Sequence, residues 1–169
     1  GKVLAIARTL GITRIYCPYM MPDDRPTDAA GWRAFGARLQ AAGRPIRDAG
    51  LGFGWHNHDF ELRPLPDGQV PQDLIFEGGP DLEWEMDVAW VIKGGADPFQ
   101  WIKDFAGRIT AAHDEMHAAD ADLHRAKAWT TNDFGLMAGA QSHRLHPLAG
   151  TVRGMDTEDH ACLALPQAG

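Results

Sequence analysis

The sequence predicts an α/β fold with a parallel sheet, and three observations carry that prediction. Stretches of helical periodicity alternate with single short β-favouring runs. The connections between them are mostly short and polar, which is the pattern of right-handed βαβ crossovers. The chain has 169 residues, 44% of them hydrophobic, which is enough for one domain with its own core. Periodicity leaves two closures of such a sheet open, a doubly wound open sheet and a (β/α)8 barrel.

The elements follow in order. Lys2-Val3-Leu4-Ala5-Ile6-Ala7-Arg8-Thr9-Leu10 is amphipathic at helical spacing, has no capping residue before it and meets its stop signal at Gly11, so the sequence is expected to start inside an element. Thr13-Arg14-Ile15-Tyr16-Cys17 is a β-favouring run that Pro18 ends. Thr27 or Asp28 is placed to cap a helix with apolar positions Trp32, Phe35, Leu39 and Ile46, which Pro45 is expected to kink or divide and Gly50 to close. Leu51 to Asn57 reads as the second strand. Asp67-Gly68, between Pro66 and Pro71, marks a turn before a short helical stretch from Gln72 to Phe76. Leu82 to Val88 reads as a third strand, Pro98 to Phe105 as a helix and Arg108 to His113 as a fourth strand. From Asp114 onward the pattern fails: His117 to Ala128 has helical spacing, but no later stretch alternates or is β-branched.

Composition excludes several classes of partner. The net charge is -7 with scattered Lys and Arg, so no basic face forms for a phosphate backbone, and nucleic acid is not expected. No apolar run approaches the roughly 20 residues of a membrane span, and the N-terminus has no basic stretch leading into an apolar one. Cys17 and Cys162 lie far apart with no CxxC spacing, which fits a reducing compartment. The expectation is a cytoplasmic protein without a membrane partner.

Candidate chemistry concentrates at the ends of the strands. In Gly54-Trp55-His56-Asn57-His58 the two imidazoles share one face of a strand, with Trp55 and Asn57 on the other, and Asp59 and Glu61 follow. Such a pair at the carboxyl end of a parallel strand suits a metal ion or acid/base work. Glu83, Glu85 and Asp87 likewise share a face opposite Leu82, Trp84 and Met86. Three stacked carboxylates repel unless a cation, a proton or solvent answers them. Glu83 at the strand start and Glu85 paired with an Arg is the structural expectation, and Asp87 at the carboxyl end is the candidate metal ligand. His113 ends the fourth strand in the same way that His56 and Asp87 sit near the ends of theirs. Gly50, Gly52 and Gly54 fall before and within a strand, which makes a dinucleotide loop a weak reading.

Taken together, Gly52-Phe53-Gly54-Trp55-His56-Asn57-His58-Asp59-Phe60-Glu61, Leu82-Glu83-Trp84-Glu85-Met86-Asp87-Val88-Ala89-Trp90-Val91, Gly94-Gly95-Ala96-Asp97-Pro98 and Gly107-Arg108-Ile109-Thr110-Ala111-Ala112-His113 resemble, in order and spacing, the sugar phosphate isomerase/epimerase family of xylose-isomerase-like barrels. The resemblance runs from about Val3 to His113 and implies the barrel closure: residues 1–113 as a partial (β/α)8 TIM barrel with about four parallel strands, residues 114–169 as an irregular tail. It implies one divalent ion (Mn, Mg, Co or Zn) on His56, Asp87 and His113, with a further Glu from a final strand that has no placeable equivalent here. After the His the family commonly continues Val-Lys-Asp where this chain has Asp114-Glu115-Met116, so the tail is expected to be a surface appendage or poorly ordered end, or to be truncated or read out of frame. The implied activity is isomerisation or epimerisation of a sugar, sugar phosphate or keto-sugar by proton abstraction next to a carbonyl. Glu61 is the candidate base or hydroxyl-orienting group, His58 a substrate or supporting contact, and Trp55 and Trp90 candidates for an apolar wall or for core packing. A lyase or dehydratase of the same superfamily is the second reading. The third is an inactive fragment that self-associates through exposed barrel edges.

Overall fold

A computed structural model of the chain describes residues 1–113. The expectations placed on residues 114–169, including the irregular tail, lie outside the described residues.

Helix α1, Lys2–Leu10, ends where Gly11 turns left-handed (φ 67) and its N–H caps the carbonyls of Ala7 and Arg8. Strand β1, Arg14–Cys17, follows, then a single 3-10 turn at Pro22–Asp24. Helix α2 runs over Ala29–Asp48 and starts on Asp28, whose carboxylate accepts from Gly31 N at 2.7 Å. Its buried residues include Trp32, Phe35, Leu39 and Ile46, the stripe read from the sequence. Pro45, expected to kink or divide the helix, does not divide it. The proline lies one turn from the helix end, so the single backbone bond it removes leaves the buried stripe through Ile46 in place.

Strand β2 is Gly52–His56, and a 3-10 turn at Phe60–Leu62 leads toward helix α3, Pro71–Gly78. Strand β3, Glu83–Asp87, is one residue shorter at its carboxyl end than the alternation predicts, because Val88–Lys93 forms a helix, α4. The apolar residues Val88, Ala89 and Val91 satisfy a strand or a helix equally well. Asp87 decides between them, since its side chain accepts from Trp90 N at 3.0 Å and caps the helix. Helix α5 is Pro98–Phe105, capped by Asp97, and strand β4 is Ile109–His113.

The four strands form one parallel sheet in the order β1-β2-β3-β4. Sequential strands lying side by side, each joined to the next through helix, are the repeating unit of a barrel wall. One face carries Phe53, Trp55, Leu82, Trp84 and Met86, all buried, and meets a helical layer in which α2 and α3 pack together. The opposite face carries Arg14, Tyr16, Glu83, Glu85 and Asp87. No helix among the described residues is long and apolar enough to cross a membrane.

Candidate metal centre

Register brings the candidate ligands together. His56, Asp87 and His113 are the last residues of β2, β3 and β4, and Asp87 lies directly opposite His113 in the ladder. His113 Nδ1 stands 2.9 Å from Asp87 Oδ2, and the His56 and His113 rings are 5.4 Å apart. One donor atom from each of the three lies within 4.8 Å of the other two. The Asp87 side chain is 0% exposed and that of His113 44% exposed, so the group has a buried carboxyl group and an open side.

The donor chemistry fits a divalent ion. Two imidazoles and a carboxylate suit Mn, Co or Zn better than Mg or Ca, which prefer oxygen throughout. A buried carboxylate needs a cation or a proton. The 2.9 Å between His113 Nδ1 and Asp87 Oδ2 accommodates a shared proton. Two adjacent donors on one ion, with bonds of roughly 2.1 Å, keep about the same separation.

The three carboxylates of β3 are answered one by one. Arg14 Nε donates to Glu83 Oε2 at 2.9 Å, and Thr110 Oγ1 donates to the same oxygen at 2.8 Å. Tyr16 continues the network to Thr110 at 2.8 Å, and burial pushes its phenol pKa up. Glu85 Oε2 faces His56 Nδ1 at 3.1 Å, and Asp87 faces His113. The Arg expected for Glu85 therefore belongs to Glu83, and a histidine takes its place. Gly52 is what lets Arg14 reach across β2: a Cβ there would lie 2.6 Å from both Glu83 carboxylate oxygens and 2.8 Å from Arg14 Cγ. The Gly-x-Gly spacing thus serves close approach inside the barrel wall, not a dinucleotide loop.

One residue at the site was not singled out in the sequence. Asn57, 0% exposed, accepts from Trp84 Nε1 and from Asp87 N, each at 2.9 Å, and donates to Asp87 O at 3.1 Å. Its side chain replaces the strand ladder just beyond the end of β2. With Asp87 Oδ1 accepting from Trp90 N, both the backbone of Asp87 and one of its carboxylate oxygens are held, and Oδ2 is left for His113. The available signal was a polar residue on the face that alternation assigns to Trp55.

His58 and Glu61 form the layer behind. The His58 ring lies 5.2 Å from His56, 4.9 Å from Tyr19 and 5.1 Å from Trp90. Glu61 is fully buried, and its two oxygens accept from Trp55 Nε1 at 3.0 Å and from His58 N at 2.9 Å. Burial pushes its carboxyl up to about 8, against the pull of these donors and of Arg25. Trp55 is a core residue, 0% exposed, whereas Trp90 is half-buried beside His58 with the Lys93 ammonium 4.4 Å above its ring.

No family model matches the chain, and no curated protein sequence matches it. The solved structures similar in fold include two of sugar phosphate isomerases/epimerases from Parabacteroides distasonis ATCC 8503. One is 22% identical with a TM-score of 0.60, the match covering 66% of this chain and 44% of that one. The other is 24% identical with a TM-score of 0.59, covering 71% and 47%. This likeness establishes the fold, a partial TIM-barrel-like sheet and helix arrangement. The matched region spans less than half the length of either structure.

Proposed function

We propose that the chain carries part of a divalent-metal-dependent sugar isomerase or epimerase, acting on a sugar, sugar phosphate or keto-sugar by proton abstraction next to a carbonyl. The observation that carries this reading is the convergence of His56, Asp87 and His113 at the carboxyl ends of three adjacent parallel strands, the position where barrels of this kind bind substrate. Two of the structural neighbours, both sugar phosphate isomerases/epimerases, support the substrate class.

In this reading His56, Asp87 and His113 hold the ion. When bound, it polarises a substrate carbonyl and its neighbouring hydroxyl and stabilises the negative charge that develops when the intervening proton leaves. Asp87 supplies the anionic ligand, held in place by Asn57 and the start of α4. His113 supplies the open side on which a substrate approaches. His58 packs on His56 and acts as a supporting contact. Glu61 has the proton affinity of a general base, but it is enclosed and both its oxygens are engaged. We therefore assign it to positioning the segment that carries His58, in place of the base or hydroxyl-orienting role expected from the sequence. Trp90 is the aromatic residue available as a wall, and Trp55 belongs to the core.

The test is a panel of ketoses and keto-glycosides incubated in deuterated water with Mn²⁺ or Co²⁺. Metal-dependent exchange of the α-proton with epimer or isomer formation is expected. Loss of water or of an aglycone would favour the lyase or dehydratase reading. Exchange that persists undiminished after chelation would remove the metal from the mechanism.

A further inference from the structure

We propose that Glu85 is a positioning residue that fixes the tautomer of His56, so that the ring offers Nε2 and not Nδ1 to the centre. The proposal rests on the reading of His56 as a ligand and adds to it the identity of the donor atom and the residue that selects it.

The geometry points there by elimination. A neutral imidazole carries one N–H and one lone pair, and the nitrogen that finds a hydrogen-bond acceptor keeps the proton. His56 Nδ1 lies 3.1 Å from Glu85 Oε2, and a carboxylate accepts without donating, so the proton between them is on Nδ1. The lone pair is then on Nε2. Glu85 is available for this work because Arg14, the nearby guanidinium, is engaged with Glu83. Backbone register sets the pair side by side, since His56 lies directly opposite Glu85 in the β2–β3 ladder.

The ring is also confined. His58 stands against it at 5.2 Å with planes 75° apart and His113 at 5.4 Å with planes 65° apart, and His56 itself is 9% exposed. A ring held between two edge contacts has little room to exchange its nitrogens. His113 likewise turns Nδ1 toward a carboxylate, that of Asp87, which is itself a ligand in this reading.

The experiment reads the tautomer directly. The 169-residue chain, ¹⁵N-labelled at histidine and metal-free, is examined by two-bond ¹H–¹⁵N correlation at mildly alkaline pH, with a His56→Gln sample to assign the signal. The wild-type chain should show His56 protonated on Nδ1. Glu85→Ala should move it to the Nε2-protonated form, and Glu85→Gln, whose amide oxygen still accepts, should restore the wild-type pattern. In parallel, Co²⁺ affinity should fall by ~10- to 100-fold in Glu85→Ala and recover substantially in Glu85→Gln.

A wild-type His56 protonated on Nε2 overturns the proposal, and this outcome needs no variant to fold. So does a tautomer that Glu85→Ala leaves unchanged, even if Co²⁺ binds, in which case the metal reading stands alone. If the tautomer responds as expected while the wild-type chain binds no Co²⁺, the positioning role stands and the metal reading fails.

Discussion

Asp87 ends one strand, opens a helix and faces His113, and each role uses a different part of the residue. Its backbone is gripped by Asn57, Oδ1 caps α4, and Oδ2 remains for the site. Asparagine keeps the shape and the capping ability while removing the charge. Asp87→Asn should therefore fold with an unchanged circular dichroism spectrum and lose metal affinity by roughly tenfold or more; calorimetric titration with Co²⁺ checks this, and wild-type affinity would sink the ligand assignment. Glu61 gives a second prediction at this scale. Its carboxyl is raised from 4.5 to about 8 in the fold, so between those pH values the unfolded chain has lost a proton that the native chain keeps. The stability that this group contributes is full below about 4.5 and is lost as pH rises through about 8. The loss is of order 5 kcal/mol at most, from 1.36 kcal/mol per pKa unit. Urea melts of wild type and Glu61→Gln across this window should show a steeper fall for wild type. Parallel pH profiles would remove the buried-acid explanation.

Between elements, the β2–β3 junction carries the site. A Cβ at Gly54 would lie 2.1 Å from the Glu83 carbonyl oxygen, which is backbone and cannot swing aside. Gly54→Ala should cost more than about 3 kcal/mol or abolish the cooperative transition. Gly107→Ala, with nothing within 4 Å of its Cβ, should stay within about 0.5 kcal/mol of wild type. Chemical denaturation of the pair checks the contrast, and equal costs would mean that the strands are not packed this closely. Asn57→Ala removes the partner of Trp84 Nε1 and of both Asp87 backbone groups, so a loss of about 3 kcal/mol is expected. Metal affinity should weaken beside it, because the backbone that aims Asp87 is released.

Over the whole molecule, the unsatisfied surfaces matter most. Among the described residues β1 and β4 are the edges of the sheet, and α1 exposes Ile6 (56%) and Leu10 (68%). Free edges and an apolar helix face promote association. Equilibrium sedimentation of the 169-residue chain should show concentration-dependent self-association, and a well-behaved monomer would count against it. The same chain, with three candidate donors among the described residues where such ions favour about six, should turn over ketoses far below roughly 1 per second. Turnover at ordinary enzyme rates would show that the three donors suffice.

Much of this protein was legible in the order of its residues. Periodicity gave the alternation of helix and strand, the pair Thr27 or Asp28 the start of α2, and the spacing of His56, Asp87 and His113 three strand ends that would meet if the strands were parallel and adjacent. Those features are local, or follow from strands of similar length lying in register. What the sequence left open is set by neighbours distant in the chain. Val88 to Lys93 fits strand or helix by its own pattern, and the Asp87 cap makes it a helix. Glu83 and Glu85 are indistinguishable by alternation, yet Gly52 opens a path for Arg14 to one and leaves His56 for the other. Glu61 reads as an acid near a ligand strand until the 3-10 turn folds it beneath His58 and against Trp55. A side chain's chemical type and strand face are written in the sequence, whereas its partner and exposure depend on which atoms the packed backbone brings within 3 Å, and only tertiary structure decides that.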